Sequence, residues 1–492
     1  MTRWAVLIPS GFVVFALASP QAVQPTPAAR LELRPEVTRA EIEADVRHLA
    51  SDQLAGRKTG TDEAVLAARF LAEVLQRSGV EPAGDGGTFL QAVPLVRIRE
   101  TAVPELSLRV RGSEPIAPVF GEDFDVSGPF DRKDLRVVVA ATAGEIPESD
   151  STDAAIFLDT NRSSARRWLE ESGHPDGNGF ALVILAGSAR PGERRNEPST
   201  SESIRLKRAG DSPEPPRITV RGTLLDRFRS KEVETLSLRT HVVSDEPPAF
   251  NVVGRIPGVG LAKEPDLAGE AVVVSAHYDH LGVRGKGAAP DQASATTEDL
   301  VYNGADDDAS GCAAVLEIAG ALAAGPKPAR TVIFLLATGE EVGLLGTRYY
   351  LDHPAVPLEK TIANLNVEMI GRPDAQVGGP GKLWLTGFER TDLGSACSRA
   401  GLAIVADPRL EQHFFERSDN YAFVQRGIVG QTFSSYDLHD DYHHVTDEAD
   451  RLDFDHMESC VRSVLGAVRL VTDGQLRPRW NAGFEPKTRT SR

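Results

Sequence analysis

Ala271-Val272-Val273-Val274-Ser275-Ala276-His277-Tyr278-Asp279-His280 is an apolar run that ends abruptly in ionisable groups. A strand without polar alternation is covered on both faces, as in a parallel sheet between layers of helices. The same grammar recurs where Thr331-Val332-Ile333-Phe334-Leu335-Leu336 leads to Gly339-Glu340-Glu341, and where 362–367 leads to Glu368. Open parallel sheets gather their reactive groups at the carboxyl ends of strands. Between the first two runs stands Asn303-Gly304-Ala305-Asp306-Asp307-Asp308-Ala309-Ser310-Gly311. Carboxylates and imidazoles brought together with little balancing Lys or Arg repel one another unless a cation sits among them. The pattern reads as a two-metal hydrolytic site.

Working outward, strands are expected at 251–255, 271–275, 331–336, 362–367, 382–385 and 428–432, with helices between them, notably 310–324. The fold class is α/β, a mostly parallel twisted sheet flanked by helices. Upstream, 38–49 looks helical, and a clearer helix is expected from Asp62 to Arg77. Thr61 caps it, Gly79 suits its end, and Val65, Ala68, Leu71, Ala72 and Leu75 share one face. Composition changes near Arg99. Residues 101–246 alternate short β-like runs (106–110, 135–140, 180–185, 217–220) with Pro, Gly and charge-rich loops, and 190–216 is expected to be mobile. This block reads as a separate, mostly β domain inserted into the first, which resumes over 247–478 after its opening part at 36–100. A long decorated loop region is the alternative. Residues 479–492 read as a polar, frayed tail.

The 492-residue chain is too long for one core. Its net charge of −17 disfavours nucleic acid and anionic membrane surfaces as partners. At the N-terminus, Arg3, the apolar stretch from Trp4 to Leu17 and Ala16-Leu17-Ala18 resemble a signal peptide over 1–18, followed by a flexible, Pro-containing lead-in over 19–35. Export to the periplasm or the medium is therefore expected, with no membrane insertion after cleavage. The three cysteines exclude a disulfide-built fold. Cys312 suits a core helix, and Cys397 and Cys460 are either bridged or two buried thiols.

Among the ionisable residues, His277 gains interest from Asp279, two residues on, which can orient its second ring nitrogen. Asp307 lies in a loop small enough to approach a cation, with Asp306 and Asp308 in support. Glu340 and Glu341 are adjacent and point different ways, so one can bind metal while the other serves as a base. Glu368 sits between Val367 and Met369, poorly placed for solvent. His439, His443 and His444 crowd one stretch, and spacing alone does not choose among them. Nitrogen and oxygen donors without sulfur suit catalytic rather than structural zinc.

At these residues the chain resembles the co-catalytic two-zinc exopeptidases, secreted bacterial aminopeptidases whose relatives include glutamate carboxypeptidase, carboxypeptidase Q and glutaminyl cyclase. The resemblance rests on 276–282, 303–311, 337–346, 366–371, Arg417-Ser418-Asp419-Asn420 and Tyr442-His443, with 54–61 and 89–91 upstream. It implies two zinc ions and a peptide substrate. His277 and Glu368 would hold one ion, Glu341 and His443 the other, and Asp307 would bridge them. Glu340 would be the general base, with Asp279 and Asp308 in support. It also implies a cis peptide after the bridging Asp and a protease-associated domain in place of the inserted block. Two departures stand out: Glu368 occupies a position that is usually Asp, and the segment between His277 and Asp307 is long enough to form a flap. Aminopeptidase action is the leading expectation. The competing ones are a carboxypeptidase or dipeptidase with the same site and a non-catalytic, receptor-like ectodomain. A glutaminyl cyclase fits less well, because the second metal set is complete. Oligomeric state is not legible.

Overall fold

The computed structural model describes residues 36–486 apart from 148–150, 175–176, 178, 188–201, 208–215 and 285–298. The expected signal peptide and lead-in, most of the 190–216 stretch and the middle of the expected flap, 285–298, lie outside the described residues.

One sheet has nine strands. Its centre is parallel: Ala271–His277 runs between Thr331–Ala337 and Thr361–Val367, and Val429–Ser434 lies parallel on the far side of the latter. Phe250–Ile256 pairs antiparallel with Thr331–Ala337, and Leu383–Leu385 antiparallel with Val429–Ser434. Every residue of the Ala271–His277, Thr331–Ala337 and Thr361–Val367 strands is buried, as an unalternating apolar run requires. Val272, Val274 and Ala276 face Arg39–Leu49, Asp62–Arg77, Gly311–Ala324 and Phe454–Thr472. Val273, Ile333 and Leu335 face the opposite way, toward Tyr350, Leu351 and Phe423 on two shorter helices. Local signals match these ends, since Thr61 accepts from the Ala64 N–H at 3.2 Å and Thr38 caps the first helix.

Residues between the Leu90–Ala92 and Phe250–Ile256 strands build a second, eight-stranded sheet. Leu95–Val110 and Val233–Asp245 form a long antiparallel ribbon within it, from Arg97 opposite Asp245 to Val110 opposite Val233. Four further strands run parallel beside one another, and helices Arg162–Glu171 and Gly222–Arg229 accompany them.

Three expectations are corrected. Glu202–Leu206, inside the stretch expected to be mobile, is a strand on the edge of the ribbon. The start of the expected tail is docked, because Trp480 bridges to Thr391 and the Asn481 amide donates to the Glu389 and Thr391 carbonyls at 2.8 and 3.1 Å. The helix expected from Ser310 begins at Gly311, after a wider turn over Ala305–Ser310. Cys312, Cys397 and Cys460 are all free, buried thiols.

Candidate active site

Strand register explains why distant residues meet. His277 and Ala337 are neighbours at the carboxyl ends of adjacent parallel strands, and Val367 pairs with Phe433 one strand further on. His277, Glu340, Glu341 and Glu368 therefore leave the sheet at one end. Asp307 arrives from the turn before the Gly311–Ala324 helix, and the Asp307–Asp308 peptide is cis. Gly304, at φ +55°, starts that turn; a Cβ there would lie 2.3 Å from the Asp307 carbonyl oxygen and 2.6 Å from the His280 ring.

The Asp307 carboxylate is buried and meets two imidazoles. Its Oδ1 lies 3.2 Å from His277 Nε2, and its Oδ2 lies 3.2 Å from His443 Nε2. His443 Nε2 is also 3.3 Å from Glu341 Oε2. On His277, Nδ1 is 3.1 Å from the Asp279 carbonyl oxygen. A carbonyl can only accept, so in the neutral ring Nδ1 carries the hydrogen and Nε2 presents a lone pair to a carboxylate oxygen. Among the described residues, this buried Nε2 has no hydrogen-bond partner. Two lone pairs facing each other in a buried site are what an intervening cation satisfies, and donors about 2.0–2.1 Å from a tetrahedral zinc stand roughly 3.3 Å apart.

Glu368 accepts a short hydrogen bond from Ser418 and a 3.4 Å bond from the Asn366 amide. That amide belongs to a buried polar chain with Ser275, Asn364 and Thr432. Asp279 Oδ2 accepts from Thr59 at 2.7 Å, and its Oδ1 accepts from the Glu340 N–H at 3.1 Å. It thus meets His277 through its main chain and fixes the Glu340 loop through its side chain. Asp308 accepts from the Gly311, Met369 and His277 N–H groups. Burial, opposed by His277 and reinforced by Glu368, Asp419 and Glu341, holds the Glu340 carboxyl well above its ordinary range. Burial likewise pushes Glu368 to about 7 and Asp419 to about 6. A cluster this crowded with negative charge is one that divalent cations stabilise.

Glu340, Asp307, Glu368 and His443 open onto one cavity. Its other wall carries Met369, Trp384, Phe414, Tyr436 and Tyr442.

Several residues around this centre escape sequence reading. His280 Nδ1 is 2.8 Å from Glu341 Oε1, and donor atoms of His280, Asp307 and Glu341 fall within 4.8 Å of one another. Its place three residues after His277 was the available signal. Asp447 accepts from the Asp306 and Asp307 N–H groups at 3.1 Å. Arg57 is wholly buried and donates to the carbonyls of Leu49, Tyr278, Asn303 and Gly304, tying together the two loops that carry His277 and Asp307. His439 turns to Asp306, at 3.0 Å, and does not join the cluster.

With the geometry in hand, three likenesses bear on it. A 144-residue segment is 35% identical to leupeptin-inactivating enzyme 1 of Streptomyces exfoliatus, covering 28% of this chain and 31% of that protein. A 110-residue segment is 32% identical to aminopeptidase YwaD of Bacillus subtilis (strain 168), covering 22% of this chain and 19% of that protein. The chain therefore aligns with less than a third of the length of either curated relative. The fold is similar to that of an aminopeptidase from Aneurinibacillus sp. strain AM-1, with a TM-score of 0.53, 18% identity and coverage of 90% of this chain and 96% of that one. The family model that matches is peptidase family M28, over residues 251–468.

Proposed function

We propose that the chain is a zinc-dependent exopeptidase that removes N-terminal residues from peptides. The observation that carries this reading is Asp307, whose two carboxylate oxygens each face a different imidazole at 3.2 Å. His277 and Glu368 would hold one zinc, His443 and Glu341 a second, with Asp307 shared. The 3.2 and 3.3 Å spacings among His443, Asp307 and Glu341 suit donors on one tetrahedral ion. His280 is closer to Glu341, at 2.8 Å, which suits a hydrogen bond that orients this carboxylate better than a place on the same ion. When bound, the ions would polarise the scissile carbonyl and lower the pKa of water. Glu340, unligated and open to the cavity, is the group placed to take a proton from the attacking water and return it to the leaving amine. Asp279 holds the Glu340 main chain while that transfer occurs. We further propose that residues 101–246 are an inserted domain of protease-associated type and that the chain is exported.

The test is metal analysis with kinetics on aminoacyl substrates. Two zinc ions per chain and activity lost to chelator are expected. Glu340→Gln should keep both ions and lose on the order of 10³-fold in kcat/KM. Purified protein that binds no metal, or a fully active Glu340→Gln, would overturn the reading.

A further inference from the structure

The cavity wall carries one cationic side chain of the Lys or Arg type, Arg417, among the described residues. The two arginines nearby are each matched to a carboxylate: buried Arg409 grips Asp374 with both terminal nitrogens, at 2.6 and 3.0 Å, and half-buried Arg372 reaches Asp441 at 2.6 Å. Arg417 differs. It is exposed, its guanidinium carbon lies 5.1 Å from the Phe414 ring centroid, and it makes no ion pair among the described residues. Stacking on a ring fixes the plane of a guanidinium while leaving its edge donors free. The next residue, Ser418, bonds Glu368, so the fork stands one residue from the proposed metal centre.

We propose that Arg417 binds a carboxylate of the substrate, so that the chain favours peptides presenting a free carboxylate close to the scissile bond. Two planar groups with parallel N–H···O bonds suit this pairing. In a peptide the carboxylate is either the side chain of an acidic N-terminal residue or the C-terminus of a dipeptide. This proposal rests on the peptidase reading above.

The test uses zinc-loaded, full-length protein and matched pairs: glutamyl- against glutaminyl-p-nitroanilide, and Leu-Gly against Leu-Gly-amide. Wild type is expected to favour the acid in one pair by tenfold or more in kcat/KM, and the responding pair identifies the source of the carboxylate. Arg417→Met should cut that ratio at least tenfold, and Arg417→Lys should restore part of it. Calorimetric binding of both pairs in the Glu340→Gln background reads the same preference without turnover. Turnover of all four compounds with ratios near one, or ratios unmoved by Arg417→Met, overturns the role of Arg417 and leaves the peptidase intact. Arg417-dependent binding of the acid with no hydrolysis by wild type supports Arg417 and overturns the peptidase. Absence of both hydrolysis and preference overturns both.

Discussion

Asp307 sits between His277 and His443, and neither imidazole can be exchanged for the other. His277 is locked by the Asp279 carbonyl, whereas His443 is half-buried and meets Glu341 as well. If the proposed pair of ions is bound, His443→Ala is therefore expected to leave one zinc per chain in place of two. His280→Ala should keep both ions with 10- to 100-fold weaker affinity, since it removes only the hydrogen bond that aims Glu341. Titration with a chromophoric chelator checks both, and a His280→Ala protein with one ion would move His280 into the ligand set. Of the five ligand candidates, His277, Glu341 and Glu368 stand out in the sequence because each lies just beyond an apolar run and Asp307 because it lies in a small-residue loop, whereas His443 is picked from its His-rich stretch only by the family resemblance. Arg57 was not, because its contribution consists of contacts to four main-chain carbonyls that no spacing rule encodes. His280 was overlooked for a different reason: its partner lies 61 residues away.

Helix packing has its own titration. The first helix, Arg39–Leu49, lies on Gly311–Ala324, and between them Glu317 accepts the Thr38 N–H at 2.9 Å. Burial, with Thr38 opposing it and Glu41 and Asp45 adding to it, lifts Glu317 from 4.5 to about 8. Asp45 rises from 3.8 to about 7, again chiefly through burial. Below about pH 4 the folded and unfolded chains both carry these protons and nothing is lost. From there to about pH 8 the unfolded chain ionises while the folded one resists, so stability falls with rising pH. Glu317→Gln is expected to raise Tm at pH 8 and to change it little at pH 4, as scanning calorimetry can follow. A lower Tm at pH 8 would mean that Glu317 is ionised and paired in the folded chain. The Asp62–Arg77 and Gly311–Ala324 helices were legible from capping or apolar content. The Val233–Asp245 strand was missed, because it interleaves Glu, Arg, His and Asp with its buried residues. Half-exposed ribbon strands blur into charged loops when read one residue at a time.

On the scale of the whole molecule, the two sheets meet beside the chemistry. Ile204 and Leu206, on the edge strand of the eight-stranded sheet, pack against a small apolar cluster that includes Leu345, four residues after Glu341, and Val342 packs against the same cluster. Glu202 of the same strand pairs with Lys58, next to Arg57. Leu206→Ala should therefore lower kcat/KM several-fold while costing about 1 kcal/mol of stability, since a partly buried side chain leaves little cavity. Loss of stability with unchanged kinetics would show that this contact braces the fold without setting the Glu340 loop. The general plan of parallel strands feeding one site was readable from apolar runs. This contact was not, because the strand that makes it lies in a polar stretch whose only structural cue is its pairing to the ribbon.

The ribbon itself carries a last implication. Arg97 stands opposite Asp245, and the two are ion-paired as well as laddered, so the chain leaves and re-enters the nine-stranded sheet through a single doorway. What lies beyond that doorway is tied to the chain at one place, and it touches the surroundings of Asp307 through its edge strand, at Glu202 and Leu206.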